Sequence, residues 1–172
     1  MPYAFFHSRF PTVARRETRT ITVFPKSEVG LPAGDYGFLE MFCDEHGCDC
    51  RRAFFYVVSS LRKDVEAVIS WGWEDRSFYA KWMGDNDPDV LATLKGPALN
   101  PGSPQTDLAP AVLSLVATVL LRDSEFVQRV KKHYRMFRDH VANERPNKGA
   151  PSDRSQRAIR ARSTHPRGGR GG

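Results

Sequence analysis

The chain has 172 residues, 40% of them hydrophobic and 27% charged, with 26 Lys plus Arg against 20 Asp plus Glu. That length and balance fit one soluble domain with a real core, and exclude both a wholly disordered chain and two ordinary domains. The net charge of +6 is unevenly placed: residues 146–172 hold seven basic residues and one acidic one, leaving 19 of each sign in residues 1–145, so a basic groove across the domain is not implied.

Pro11 opens a short helix in its favoured first-turn position. Residues 18–24, Thr-Arg-Thr-Ile-Thr-Val-Phe, are β-branched and stop at Pro25, which predicts a strand. Residues 36–43 predict a second strand, with Tyr36, Phe38, Glu40 and Phe42 on one face and Gly37, Leu39, Met41 and Cys43 on the other. Residues 51–60 are apolar on both faces and predict a central partner strand. Residues 65–73 alternate and extend the meander.

After Glu74 the period becomes helical. Phe78, Tyr79 and Trp82 mark a short helix over 75–83, and residues 89–95 form another before Gly96 and Pro97. Thr106 or Asp107 caps a helix reaching Leu121, and Asp123 or Ser124 caps one running to about Glu144, stopped before Pro146. Residues 146–172 contain one large aliphatic residue, Ile159, and are expected to be a disordered tail. The fold class expected is α+β: an antiparallel sheet of three to four strands, a cysteine knuckle at a hairpin tip, C-terminal helices packed on the sheet, and domain limits of 1–145.

All three cysteines fall in Cys43-Asp44-Glu45-His46-Gly47-Cys48-Asp49-Cys50, followed by Arg51 and Arg52. The spacing C-x4-C-x-C at a hairpin turn suits a structural zinc knuckle, where about 2.3 Å zinc–sulfur bonds require backbone that folds back on itself. A divalent cation also supplies the charge that lets thiols deprotonate near neutral pH. Zinc takes a fourth ligand. His46 is the local candidate, but the chelate would be tight. His133 shares a stripe with Phe126, Val130, Phe137 and His140 on the last helix and is preferred, with His140 third and Asp44 or Asp49 behind them.

The rivals are weaker. There is no C-x-x-C for a redox pair, and an iron–sulfur cluster asks for a fourth cysteine. Glu45 invites comparison with zinc deaminases, but neither H-x-E nor P-C-x-x-C is present. H-E-x-x-H, Walker A, G-x-S-x-G and G-x-G-x-x-G are also missing, so a non-enzyme is the expectation.

The run from Gly34 to Glu40 into Cys43, then Cys48-Asp49-Cys50-Arg51-Arg52, with Trp71-Gly72-Trp73 and His133-Tyr134-Arg135, resembles a group of uncharacterised small bacterial proteins with a C-x4-C-x-C-R-R metal knuckle. The resemblance spans about residues 18–140 and implies a domain, not an activity. SEC-C modules are similar only in Cys48-x-Cys50; their later cysteine pair is missing.

Trp71, Trp73, Phe78, Tyr79 and Trp82 concentrate aromatic area, which is a sheet-to-helix core or, in part, a stacking platform for bases or a peptide. Arg51, Arg52, Arg62, Lys63, Arg76 and Lys81 could line such a surface. The tail carries Arg154, Arg157, Arg160, Arg162, Arg167 and Arg170, the last two in RGG units, a composition that contacts RNA through phosphates and guanidinium stacking. The function expected is a zinc-stabilised adaptor, or nucleic-acid-associated protein, whose tail contacts RNA or another polyanion. The alternatives are a metalloenzyme with an open zinc position near Glu45 and a protein-binding module using the aromatic surface. Residues 1–10 lack the charged start of a secretory signal, and the longest apolar stretch, 109–121, is shorter than the roughly 20 residues a bilayer requires. A cytoplasmic protein with no membrane partner and no small-molecule substrate is therefore expected.

Overall fold

A computed structural model of the chain describes residues 3–62 and 64–144. The fold is α+β, with a six-stranded antiparallel sheet carrying the C-terminal helices on one face. The elements are β1 (Tyr3–Phe5), α1 (Phe6–Arg9), α2 (Pro11–Glu17), β2 (Arg19–Val23), β3 (Gly34–Cys43), β4 (Arg52–Ser59), β5 (Val65–Gly72), α3 (Arg76–Met83), α4 (Pro88–Lys95), β6 (Ala98–Leu99), α5 (Ala109–Thr118) and α6 (Ser124–Asn143). A 3-10 turn, Leu120–Arg122, joins the last two helices. The four longer strands are those the alternation predicts; β1 and β6 are additional and short.

Strand β3 organises the sheet. It pairs with β4 on one side, while β1 and β2 share its other side, β1 along Met41 to Cys43 and β2 along Gly34 to Phe38. β5 continues from β4, and β6 closes the far edge. Because side chains alternate across a strand, this register puts Tyr36, Phe38, Phe42, Ala53, Phe55, Val57, Ala67, Ile69 and Trp71 into one core. α5 brings Val112, Leu115 and Val116 to it, and α6 brings Phe126, Val130, Tyr134, Phe137 and Val141. Burying each such side chain contributes about 1.5–3 kcal/mol.

The helix boundaries follow their caps. Asp75 accepts from the Phe78 amide at 2.8 Å to begin α3, and Asp123 accepts from the Glu125 and Phe126 amides to begin α6. The helix expected from Thr106 begins instead at Ala109, although the Thr106 hydroxyl still accepts from the Leu108 amide at 3.2 Å. The same hydroxyl donates to the buried Glu66 carboxylate at 2.7 Å, which Ser59 also reaches at 2.6 Å. The opposite face of the sheet is covered at its β5 end by α3 and α4, which meet it around Gly72 and Leu94. No helix among the described residues is long and apolar enough to cross a membrane.

Candidate metal centre and the cleft beside it

Residues 44–51 connect β3 to β4. Gly47, in the left-handed region at φ 73°, and the Cys48 amide bonded to the Glu45 carbonyl at 3.3 Å turn the chain back. The turn brings the sulfurs of Cys43, Cys48 and Cys50 within 4.8 Å of one another, close enough to hold a metal ion. Cys43 and Cys50 are fully buried and Cys48 is half-buried.

The thiols act on one another electrostatically. The Cys50 thiol, hydrogen-bonding to Cys43, pulls Cys43 down to about 6, against desolvation. The same bond, and burial, push Cys50 up, and burial pushes Cys48 up. One thiolate therefore forms readily, while further negative charges in so small a volume do not. A bound divalent cation removes that obstacle.

The loop is held from two helices at once. Arg51, a non-glycine residue at φ 47°, donates its amide to the Tyr134 hydroxyl at 3.2 Å, and its carbonyl accepts from the Tyr79 hydroxyl at 3.0 Å. Its guanidinium grips Asp49 and Glu74 and lies 4.6 Å from the centre of the Phe78 ring. Burial raises the Tyr79 phenol to about 12 and raises that of Tyr134 also, so both remain hydroxyl donors. Arg138 donates to the Cys43 and Glu45 carbonyls at 2.8 and 3.0 Å. A left-handed arginine is costly unless its surroundings over-determine it, and here backbone and side chain are both fixed.

Arg52 is the less expected neighbour. It is only 6% exposed, its guanidinium lies over Phe54, and the one side-chain hydrogen bond it makes among the described residues is a long 3.5 Å contact to the Thr93 carbonyl. Its Nε has no hydrogen-bond partner, and no carboxylate pairs with it among the described residues. The Tyr3 hydroxyl lies within electrostatic reach of both Arg52 and all three cysteines. A buried cation without an anion is unfavourable, and a divalent ion on three thiolates would carry net −1.

The histidines are elsewhere. His133, expected as fourth ligand, is not in the thiol group: its Nδ1 meets Glu40 at 2.8 Å and its Nε2 meets Glu17 at 3.0 Å. It stacks on Phe6 with ring centres 4.3 Å apart and ties α6 to β3 and α2. The adjoining cavity of about 10 Å³ is no larger than a water molecule needs, so this cluster is a clasp without room for a substrate. His140, expected on the buried stripe, is exposed, edge-on to Phe10 and paired with Glu144. Asp49 is held by Arg51, Asp44 lies 3.7 Å from Arg9, and His46 is exposed on the loop.

The aromatic cluster divides. Trp71 and Tyr79 are buried, whereas Trp73 lines an open cleft of about 320 Å³ with Asp49, Arg51, Glu74, Lys131, Tyr134 and Arg135. Asp49 and Glu74 share the one Arg51 guanidinium, while Lys131 and Arg135, one turn apart on α6, have no acidic partner among the described residues, which leaves the cleft at a formal +1. Sequence reasoning missed this pair, whose only signal was i,i+4 spacing. Of the other basic candidates, Arg62 pairs with Asp107. Lys63 and the tail residues Arg154, Arg157, Arg160, Arg162, Arg167 and Arg170 lie outside the described residues. Compared with protein-family models, curated proteins and solved structures, the chain matches none.

Proposed function

We propose that the protein is a zinc-stabilised binding module. One zinc on Cys43, Cys48 and Cys50 holds the loop between β3 and β4, and the basic tail, together with the Trp73 cleft, contacts RNA or another polyanion. The observation that carries the metal assignment is the gathering of three thiols within 4.8 Å of one another. Three thiolates favour zinc over hard cations such as magnesium and calcium. Two unpaired cations beside a tryptophan support the polyanion assignment, since single strands are held by phosphate contacts and base stacking. One placement favours a second reading, a metalloenzyme: Glu45 lines the same surface groove as Cys48.

Protein purified without added metal should contain about one zinc per chain, and chelation should lower its resistance to urea. Metal-free protein of undiminished stability would overturn the metal assignment. Labelled single-stranded RNA should bind the full chain with an affinity that falls steeply with salt. Deleting residues 146–172 should weaken it, as should replacing Lys131 and Arg135 together by Glu. Unchanged affinity in both variants would refute the polyanion assignment.

A further inference from the structure

Tetrahedral zinc takes four ligands, and the thiol group offers three. No histidine, aspartate or glutamate among the described residues joins them; His133, His140 and Asp49 are occupied by partners of their own, and Asp44, whose Oδ1 is buried without a hydrogen-bond partner, is not in the thiol group either. The cluster also has an inside and an outside. Cys43 and Cys50 are sealed from solvent, whereas Cys48 borders a groove of about 350 Å³ that it lines with Glu45, His46, Gly47, Trp82 and Met83. A donor arriving from solution would approach along this groove.

Softness and shape indicate what kind of donor the centre accepts. Zinc on three thiolates carries net −1, and the Arg138 guanidinium, bound to the Cys43 carbonyl, acts on it from one side while Glu45 lines the groove on the other. These opposite charges leave the choice of donor to the metal's ligand preference and the groove's walls. A thiolate-rich site prefers soft donors, and the groove walls contributed by Trp82 and Met83 suit a hydrocarbon substituent.

We propose that the fourth coordination position is filled from solution through this groove by a small organic thiol, a reading that rests on the zinc assignment above. The thiol gives its proton to solvent and binds as the thiolate, displacing a water from the metal, with no change of oxidation state.

Cobalt(II) exchanged into the full chain, prepared without thiol reductants, tests this. Its sulfur-to-metal charge-transfer absorption counts thiolates, so 2-mercaptoethanol should raise it by about one third as four sulfurs replace three. Chloride, a harder anion, should leave it unchanged. Met83→Trp, which fills the groove from an exposed position, should weaken the response to thiol. A spectrum indifferent to thiol overturns the proposal; if His46→Ala then alters that spectrum, the loop histidine closes the shell instead. Failure of the wild-type chain to bind cobalt at all would overturn the metal assignment itself.

Discussion

Replacing His133 by Ala separates two roles for the one histidine that is buried among the described residues. His133 is 1% exposed and is the only hydrogen-bond partner of the Glu40 side chain among the described residues, while Glu40 is itself 6% exposed. Removing the imidazole leaves a buried carboxylate with nothing to bond to. Breaking such a pair costs about 3–5 kcal/mol, a large share of the about 5–15 kcal/mol that holds a domain of this kind folded. Glu17 contributes little to the loss because it is partly exposed and can turn to water or Lys132. Combining His133→Ala with Glu40→Leu removes the stranded charge as well. The double variant should therefore be more stable than the two single losses predict, with a coupling of about 2–3 kcal/mol. Urea unfolding followed by tryptophan fluorescence measures all four states. A single-variant loss under about 1 kcal/mol, or strict additivity, would refute the clasp. Metal content should be unchanged in His133→Ala; its loss would restore His133 as a ligand.

Two further predictions follow from packing and from titration. A Cβ at Gly72 would collide with the Tyr79 hydroxyl and approach the Leu94 carbonyl at 2.9 Å, so Gly72→Ala should cost about 1–3 kcal/mol in urea unfolding. Gly102→Ala, which meets nothing within 4 Å, should be near neutral, and equal effects would discredit the contact. The hydrogen bond from His133 holds the Glu17 carboxyl below its ordinary value of 4.5. A carboxyl depressed in the folded state stabilises fully above its unfolded value and ceases to do so as pH falls through the folded one. The stability difference between wild type and Glu17→Gln should thus shrink as pH falls below about 4.5; a difference that grew on acidification would contradict the assignment.

The β3–β4 hairpin was legible because ten residues of alternation leave little choice of register, and the same pattern placed Glu40 on the core face beside Phe38 and Phe42. What that glutamate does there was not legible, since its partner lies 93 residues away and the other carboxylate on the same ring lies 116 away. β1 and β6, of three and two residues, are too short to show any period. The stripe on α6 was read correctly through Phe137 but misplaced His140. At about 100° per residue, the buried arc turns toward Tyr134 and Val141 and leaves His140 at its margin. Arg52 reads as a surface charge in sequence; only pairing with Gly72 and the cover of α3 and α4 make it interior.

Coordination by His133, the fourth ligand preferred from sequence, would have tied the hairpin tip to the last helix. That tie exists without any metal. Tyr134 and Arg138 reach from α6 to the Arg51, Cys43 and Glu45 backbone, and Tyr79 reaches from α3 to the Arg51 carbonyl. The loop is thus fixed from outside by these hydrogen bonds, and its interior is left to the three thiols. A site fixed in this way loses less entropy on taking up an ion than a floppy loop would. On the zinc assignment proposed above, the ion would neutralise the thiolates inside a loop whose outer contacts are already made, so chelation would remove that contribution to stability while leaving the Tyr134, Tyr79 and Arg138 hydrogen bonds in place.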